Sequence, residues 1–236
     1  IPPTEGEVKV CGYDIFDNPM QVRANIGYLP EQNPLYYDMY VREFLMFIAG
    51  IHKIDKKIRK QRVEEMIELT GISKEVNKKI SMLSKGYKQR IGIAQALIHD
   101  PKVLILDEPS AVLTPQETEK LFDVLRRMRD DGKSILIITH KLHEVLSISD
   151  HVAVLRKGEY IGTVLTATTD ESQLTEMMVG KKIELNINRT EVTDSKIRLA
   201  VDGLTVVNGD GYKVVDNISF NAYSGEILGI AGIAGS

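Results

Sequence analysis

An α/β fold with a mostly parallel core sheet follows from three features of the sequence. Val103-Leu104-Ile105-Leu106 and Ile135-Leu136-Ile137-Ile138 are continuous apolar runs, the pattern of strands buried on both faces. Between them, Leu121, Val124, Leu125 and Met128 recur at helical spacing. Strands that alternate with helices of this length build βαβ units, whose strands run parallel.

Each element has a local reason. Residues 7–10 and 25–29 read as short strands, joined by a turn around Gly12 and a polar segment holding Asn18-Pro19. A helical subdomain spans about residues 38–98. Val41, Phe44, Leu45 and Ile48 sit at i, i+3, i+4 and i+7, and Val63, Met66, Ile67 and Thr70 repeat the spacing. The basic run HKIDKKIRK between them reads as a solvated face. Ile91, Ala94 and Ile98 stripe another helix, which Asp100-Pro101 should end because a residue before proline avoids the αR region. Thr114-Pro115-Gln116-Glu117 supplies an N-cap, a proline at N1 and a capping-box Glu at N3, and Gly132 suits the C′ position of that helix. After Gly180 the pattern changes: residues 181–195 are polar and aperiodic, while residues 197–207 and 214–222 alternate like antiparallel strands. The expected organisation is a first unit over residues 1–183, a linker over 184–196 and the start of a second unit over 197–236.

Composition excludes several classes. With 236 residues, 43% of them hydrophobic and 27% charged, the chain can bury a sizeable core and is neither disordered nor a disulfide miniprotein. The single Cys11 cannot form an internal disulfide, which fits a reducing compartment. The longest apolar stretch, Phe44 to Ile51, falls far short of the ~18 residues of a membrane span. IPPTEGEV has no basic n-region or apolar h-region. A net charge of −3 gives no electrostatic footprint for nucleic acid. A soluble, cytoplasmic protein is expected.

Three features carry chemistry, in fixed order: Leu83-Ser84-Lys85-Gly86-Tyr87-Lys88-Gln89-Arg90, then Asp107-Glu108-Pro109, then Thr139-His140. A carboxylate at the C-terminal end of a buried parallel strand lies in the crevice where such sheets bind ligands. Asp107 there can hold Mg²⁺ through water, and Glu108, pointing the other way, can orient and polarise an attacking water. Ser84 at a helix N-cap with Gly86 just inside it offers free N–H groups to an anion, and Lys85 adds charge. Each has a plainer reading: a strand followed by a polar turn, a Ser-capped amphipathic helix, a structural histidine.

The joint order and spacing resembles the ATP-binding cassette (ABC) ATPases, a P-loop NTPase-like fold, over residues 1 to about 183. On that resemblance Ser84 and Gly86 belong to the signature motif, Asp107 and Glu108 are the Walker B pair and His140 is the switch histidine. GYLPEQ looks like the Q-loop, with Glu31 and Gln32 both candidates for its Gln position. The departures are Lys85 and Tyr87 within LSKGY, where the family reads LSGGQ, and Thr114 where the D-loop ends in Asp. No G-x-x-x-x-G-K-[ST] phosphate loop occurs in residues 1–200. The resemblance places the first one upstream of Ile1, and GIAGS, with Gly232, Gly235 and Ser236, looks like the start of a second. Tyr212 is either an adenine-stacking aromatic or a packed strand-edge residue.

EPSAVLTPQE, THKLHEV and EMMVGKK resemble ATP-binding subunits of simple-sugar or nucleoside importers, which carry two cassettes per chain. IGYLPEQNPLYYDMYV and LSKGYKQR look closer to single-cassette exporters and gliding-motility ATPases. The resemblance implies a peripheral subunit on the cytoplasmic face of the inner membrane, binding ATP and Mg²⁺ and energising transport. It implies integral membrane subunits and a second cassette in a head-to-tail dimer as partners, with no nucleic acid. Residues 1–236 alone are expected to hydrolyse ATP negligibly. The alternatives are an export or gliding-motility ATPase and a soluble tandem ABC protein of translation. The short linker, and the lack of a heptad run or Cys cluster, argue against translation and DNA-repair relatives.

Overall fold

A computed structural model describes residues 3–181, 196–209 and 211–230. Packing divides the chain into two compact units, Ile1–Ile183 and Glu184–Ser236.

The first unit opens with a minimal antiparallel pair, β1 (Lys9–Val10) and β2 (Tyr13–Asp14). Where the sequence suggests a polar connection around Asn18-Pro19, the chain instead forms helix α1 (Pro19–Asn25). Proline at N1 starts a helix at no hydrogen-bond cost, and this short helix buries only Val22, too weak a stripe to be read in advance. Strand β3 (Ile26–Leu29) then enters the core sheet.

The helical region comprises α2 (Val41–Ile51), α3 (Lys56–Leu69) and α4 (Lys85–Leu97). Burial follows the expected stripes, with Val41, Phe44, Leu45 and Ile48 on α2 and Val63, Met66 and Ile67 on α3. The second half of the basic HKIDKKIRK run is the solvated first turn of α3, capped by the Asp55 carboxylate.

Strand β4 (Val103–Asp107), helix α5 (Pro115–Asp130) and strand β5 (Ser134–Ile138) complete the parallel sheet, in the order β3-β4-β5. Helix α5 carries the capping box between Thr114 and Glu117, and Gly132 takes a φ of +82° after its end. Leu29, Leu104 and Leu106 on one sheet face, with Ile135 and Ile137 beside them, pack with α2–α5 into one core. Full burial of such a side chain contributes roughly 1.5–3 kcal/mol.

The opposite sheet face corrects the expectation that residues 135–138 are buried on both sides. Leu136 and Ile138 are 53% and 49% exposed, next in register to Ile105 and Asp107. β5 is the outer strand of this sheet, and among the described residues the helical core packs on the face that carries Leu104 and Leu106.

Beyond β5 lie α6 (Leu142–Ile148), the antiparallel hairpin β6 (His151–Arg156) and β7 (Glu159–Leu165), and α7 (Glu171–Val179), which ends on Gly180 at φ +80°. The second unit is the antiparallel pair β8 (Ile197–Val207) and β9 (Lys213–Tyr223), close to the alternating segments of the sequence. Tyr212 is exposed in their connection, where its N–H donates to the Asn208 side chain. Most of residues 184–196 lies outside the described residues.

The C-terminal end of α4 holds an ionisable group whose state tracks folding. Arg62 of α3 donates to the carbonyls of Leu97 and Ile98 at 2.9 and 3.0 Å, and the rings of His52 and His99 stack with centroids 3.9 Å apart. The His99 Nε2–H donates to the Ile26 carbonyl, 3.0 Å away, and its buried Nδ1 has no hydrogen-bond partner among the described residues. Burial, reinforced by His52 alongside, lowers the His99 pKa from 6.5 to about 4. A base with a depressed folded-state pKa takes up its proton more readily when unfolded, so its contribution to stability is complete above pH 6.5 and is lost as pH falls towards 4. Thermal melts between pH 7 and pH 4 should fall more steeply for the wild type than for His99→Gln, and parallel profiles would refute this.

Candidate functional site

The parallel register places three strand ends side by side. Leu29 is opposite Leu106, and Asp107 is opposite Ile138. The loop with Glu31 and Gln32, the Asp107-Glu108 pair and the Thr139-His140 loop therefore emerge at one edge, the edge at which open parallel sheets bind ligands.

Asp107 ends β4 on the same face as Ile105, half-buried, and no hydrogen bond or ion pair engages its carboxylate among the described residues. Glu108 turns away from it. Its N–H donates to the Ile138 carbonyl at 2.9 Å, extending the β4–β5 ladder by one residue. The chain then breaks from the strand with Glu108 at φ +46°, a left-handed conformation uncommon outside glycine and concentrated at functional sites.

That turn directs the Glu108 carboxylate onto the neighbouring loop. Oε1 accepts from the His140 backbone N–H at 3.1 Å and from the ring Nδ1–H at 2.8 Å, and Oε2 accepts from the Thr139 hydroxyl at 3.3 Å. The Glu108 side chain is 15% exposed and His140 74% exposed. A shielded carboxylate is thus held in a fixed orientation by three donors while the ring beside it faces solvent.

Ser84 is the N-cap of α4 as expected, its hydroxyl accepting from the Tyr87 N–H at 3.4 Å. Ser84 and Lys85 are exposed at the helix tip, and the Lys85 ammonium has no partner among the described residues. Gly86 is half-buried, and a Cβ there would stand 3.5 Å from both the Val112 carbonyl and the Glu117 carboxylate. Gln89 donates to the Pro109 carbonyl at 3.2 Å, and Asn33 donates to the Lys88 carbonyl at 3.4 Å. Arg90 bridges the Glu117 carboxylate at 2.8 Å and the Gly71 carbonyl at 3.1 Å. The first turns of α4 are therefore tied to the loops after β3 and β4. No hydrogen bond joins Ser84, Lys85 or Gly86 to Asp107, Glu108 or His140 among the described residues.

Glu31 and Gln32 are exposed, and neither side chain is engaged among the described residues. Gly232, Gly235 and Ser236 lie outside the described residues.

Polar residues absent from the sequence reading also lie here. Ser110 is fully buried and Glu144 of α6 is 6% exposed. The Ser110 hydroxyl donates to Glu144, while the Lys141 ammonium lies 3.1 Å from each of the Ser110 carbonyl, the Ser110 hydroxyl and the Glu144 carboxylate. No periodicity marks Glu144, because a charged residue on a short helix is ordinarily solvated.

Magnesium fits the donor set. Among the described residues no group of three or more His, Cys, Asp or Glu could hold a metal, and Mg²⁺ characteristically takes one or two carboxylates with waters and phosphate oxygens rather than an all-protein cage. Asp107 is such a carboxylate, unengaged at a strand tip.

The profile of the ABC transporter family matches residues 1–111. A glucose import ATP-binding protein of Haloferax volcanii is 38% identical over 189 residues, covering 80% of this chain and 34% of the relative. A nucleoside import ATP-binding protein of Lactococcus lactis subsp. cremoris is 33% identical over 240 residues, covering 99% of this chain and 47% of the relative. A putative ribose/galactose/methyl galactoside import ATP-binding protein of Agrobacterium fabrum is 34% identical over 240 residues, covering 99% of this chain and 46% of the relative. The chain thus spans between a third and a half of the length of these relatives. Among solved structures, the ATP-binding subunit of an ABC transporter superposes with a TM-score of 0.64 at 24% identity, covering 69% of this chain and 68% of that one. A dimeric bacterial ABC transporter cassette gives the same TM-score and identity, covering 70% and 75%. These two share the fold.

Proposed function

The chain belongs to the ATP-binding cassette transporter family, and on that premise we propose that it is part of an ATP-hydrolysing subunit that energises uptake of a simple sugar or a nucleoside. The observation that carries the reading is the Glu108–His140 pair beside the unengaged Asp107 at the parallel strand ends. The cargo class is argued from the glucose, nucleoside and ribose import relatives.

In this reading Glu108 accepts a hydrogen bond from the attacking water. The water oxygen bonds to the γ-phosphorus as the bond to the bridging oxygen breaks, and the water's proton passes to Glu108 and from there to solvent, leaving ADP and inorganic phosphate. His140 keeps Nδ1–H on Glu108 and so orients that carboxylate, while its solvent-facing ring borders the place of the reacting phosphate. Asp107 would hold Mg²⁺, which when bound would neutralise phosphate charge. Ser84, Lys85 and Gly86 present a helix N-terminus and an ammonium to the phosphates of a second nucleotide. Glu31 and Gln32 face the membrane partner, and the phosphate loop of a second cassette begins at Gly232, Gly235 and Ser236.

Residues 1–183 then form most of one cassette, 184–196 a linker and 197–236 the start of another. The subunit works peripherally, on the cytoplasmic face, against integral membrane partners. Among the described residues no helix is long and apolar enough to cross a membrane.

The test reconstitutes the intact protein with its membrane subunits in vesicles. Labelled sugar or nucleoside should accumulate only with ATP and Mg²⁺, and Asp107→Asn should lower uptake by more than about tenfold, the loss expected when metal-held charge stabilisation is weakened. ATP-dependent export, or co-purification with ribosomes and no membrane subunit, overturns the reading.

A further inference from the structure

The loops that follow β4 and β5 are joined twice. The outer rung is the contact of Glu108 with Thr139 and His140. The inner rung, two residues further along the first loop, joins Ser110 to Lys141 and Glu144. The inner rung is the buried one, with Ser110 at 0% and Glu144 at 6% exposure.

We propose that Glu144, with Lys141 and Ser110, is the positioning group that sets the spacing of the two loops and so holds Glu108 against His140. The inference rests on the proposed hydrolytic reading of Glu108.

The energetics of burial support a positioning role over simple packing. Taking a carboxylate out of water is costly unless it is paired and hydrogen-bonded, and an apolar residue of similar volume generally stabilises as well or better. Glu144 does what an apolar side chain could not: it accepts from a hydroxyl on one loop and an ammonium on the other. Lys141 completes the clamp by donating back to the Ser110 backbone carbonyl, at 3.1 Å, so that main chain as well as side chain is fixed. Lys141 is covalently next to His140, and Ser110 is two residues from Glu108 at its left-handed φ. A shift of either loop therefore passes straight to the exposed pair. Displacement of a reacting group by about 1 Å can cost 10²-fold in rate.

The test uses Glu144→Gln, and Ser110→Ala as the milder variant, in the intact protein. Each should lower kcat for ATP hydrolysis by about tenfold or more with KM unchanged. Amide hydrogen exchange at His140, measured without nucleotide, should quicken, because its N–H loses a fixed acceptor. In a Glu108→Gln background, Glu144→Gln should lower kcat no further, the non-additivity expected of residues acting through one another. Lys141→Arg should retain most of the rate, since it keeps the cation. An unchanged kcat and unchanged His140 exchange in both variants overturn the proposal, as does a full multiplicative loss in the Glu108→Gln background. If Glu108→Gln alone leaves hydrolysis intact, the hydrolytic reading has failed instead, and His140 exchange still decides whether the inner rung holds the loop.

Discussion

Replacing Glu108 with Gln in the intact protein should lower steady-state ATP hydrolysis by about 100-fold or more while ATP still binds. Gln preserves volume, its carbonyl can still accept from the His140 N–H, and its amide N–H can donate to the Thr139 hydroxyl where the carboxylate accepted from it. On the proposed hydrolytic reading, what is lost is the negative charge facing the water and the ability to take its proton. A general base contributes about 10²–10⁴-fold, and here the carboxylate is pre-aligned by three donors, so the upper part of that range is within reach. His140→Ala should give a smaller loss, because it removes an orienting donor and leaves the base. The comparison separates the roles: if His140→Ala is the more damaging, the ring and not Glu108 carries the hydrolytic burden. The melting temperature should barely change in Glu108→Gln, since no apolar contact is deleted.

Gly27→Ala should act oppositely, on folding. Gly27 lies in β3, against which α4 packs. A Cβ at that position would fall 2.2 Å from the Ala96 carbonyl oxygen, 2.8 Å from Pro101 Cγ and 3.0 Å from Leu104 Cδ1. The first neighbour is helix backbone, which cannot rotate aside, and the second is a ring fixed by its own φ. Relief requires moving α4 off β3, which opens the core around Leu29 and Leu104. Overpacking costs typically 1–3 kcal/mol and more where backbone is the obstacle. At about 2–4 °C per kcal/mol for a protein of this size, a fall in melting temperature of roughly 10 °C is expected. Thermal unfolding followed by circular dichroism measures it, and an unchanged midpoint would mean that α4 does not press on β3 as described.

Much of this was legible in advance. The capping box at Thr114 and Glu117, the Ser84 N-cap and the apolar stripe of α2 are local, written within a few residues of where they act. Asp107 and Glu108 were readable because a continuous apolar run ends at them. Helix α1 escaped because seven residues with one buried side chain carry no period, and residues 142–179 gave little because α6 and α7 are short. The exposed face of β5 is not legible in the sequence, because an apolar run records hydrophobicity and not which neighbours cover it.

Local signals mark helices α2 to α5, the core strands and the β8–β9 pair, and the acids and the serine that stand at their ends, because capping, periodicity and chain stiffness act over a few residues. Only the tertiary structure decided that Glu108 faces His140, that Glu144 is buried against Ser110, and that Gly27 is where a helix meets the sheet. Those contacts join residues 32, 34 and about 70 positions apart, and no local preference specifies them. They are set by how the register of the parallel sheet and the packing of α4 and α6 bring distant loops to one edge.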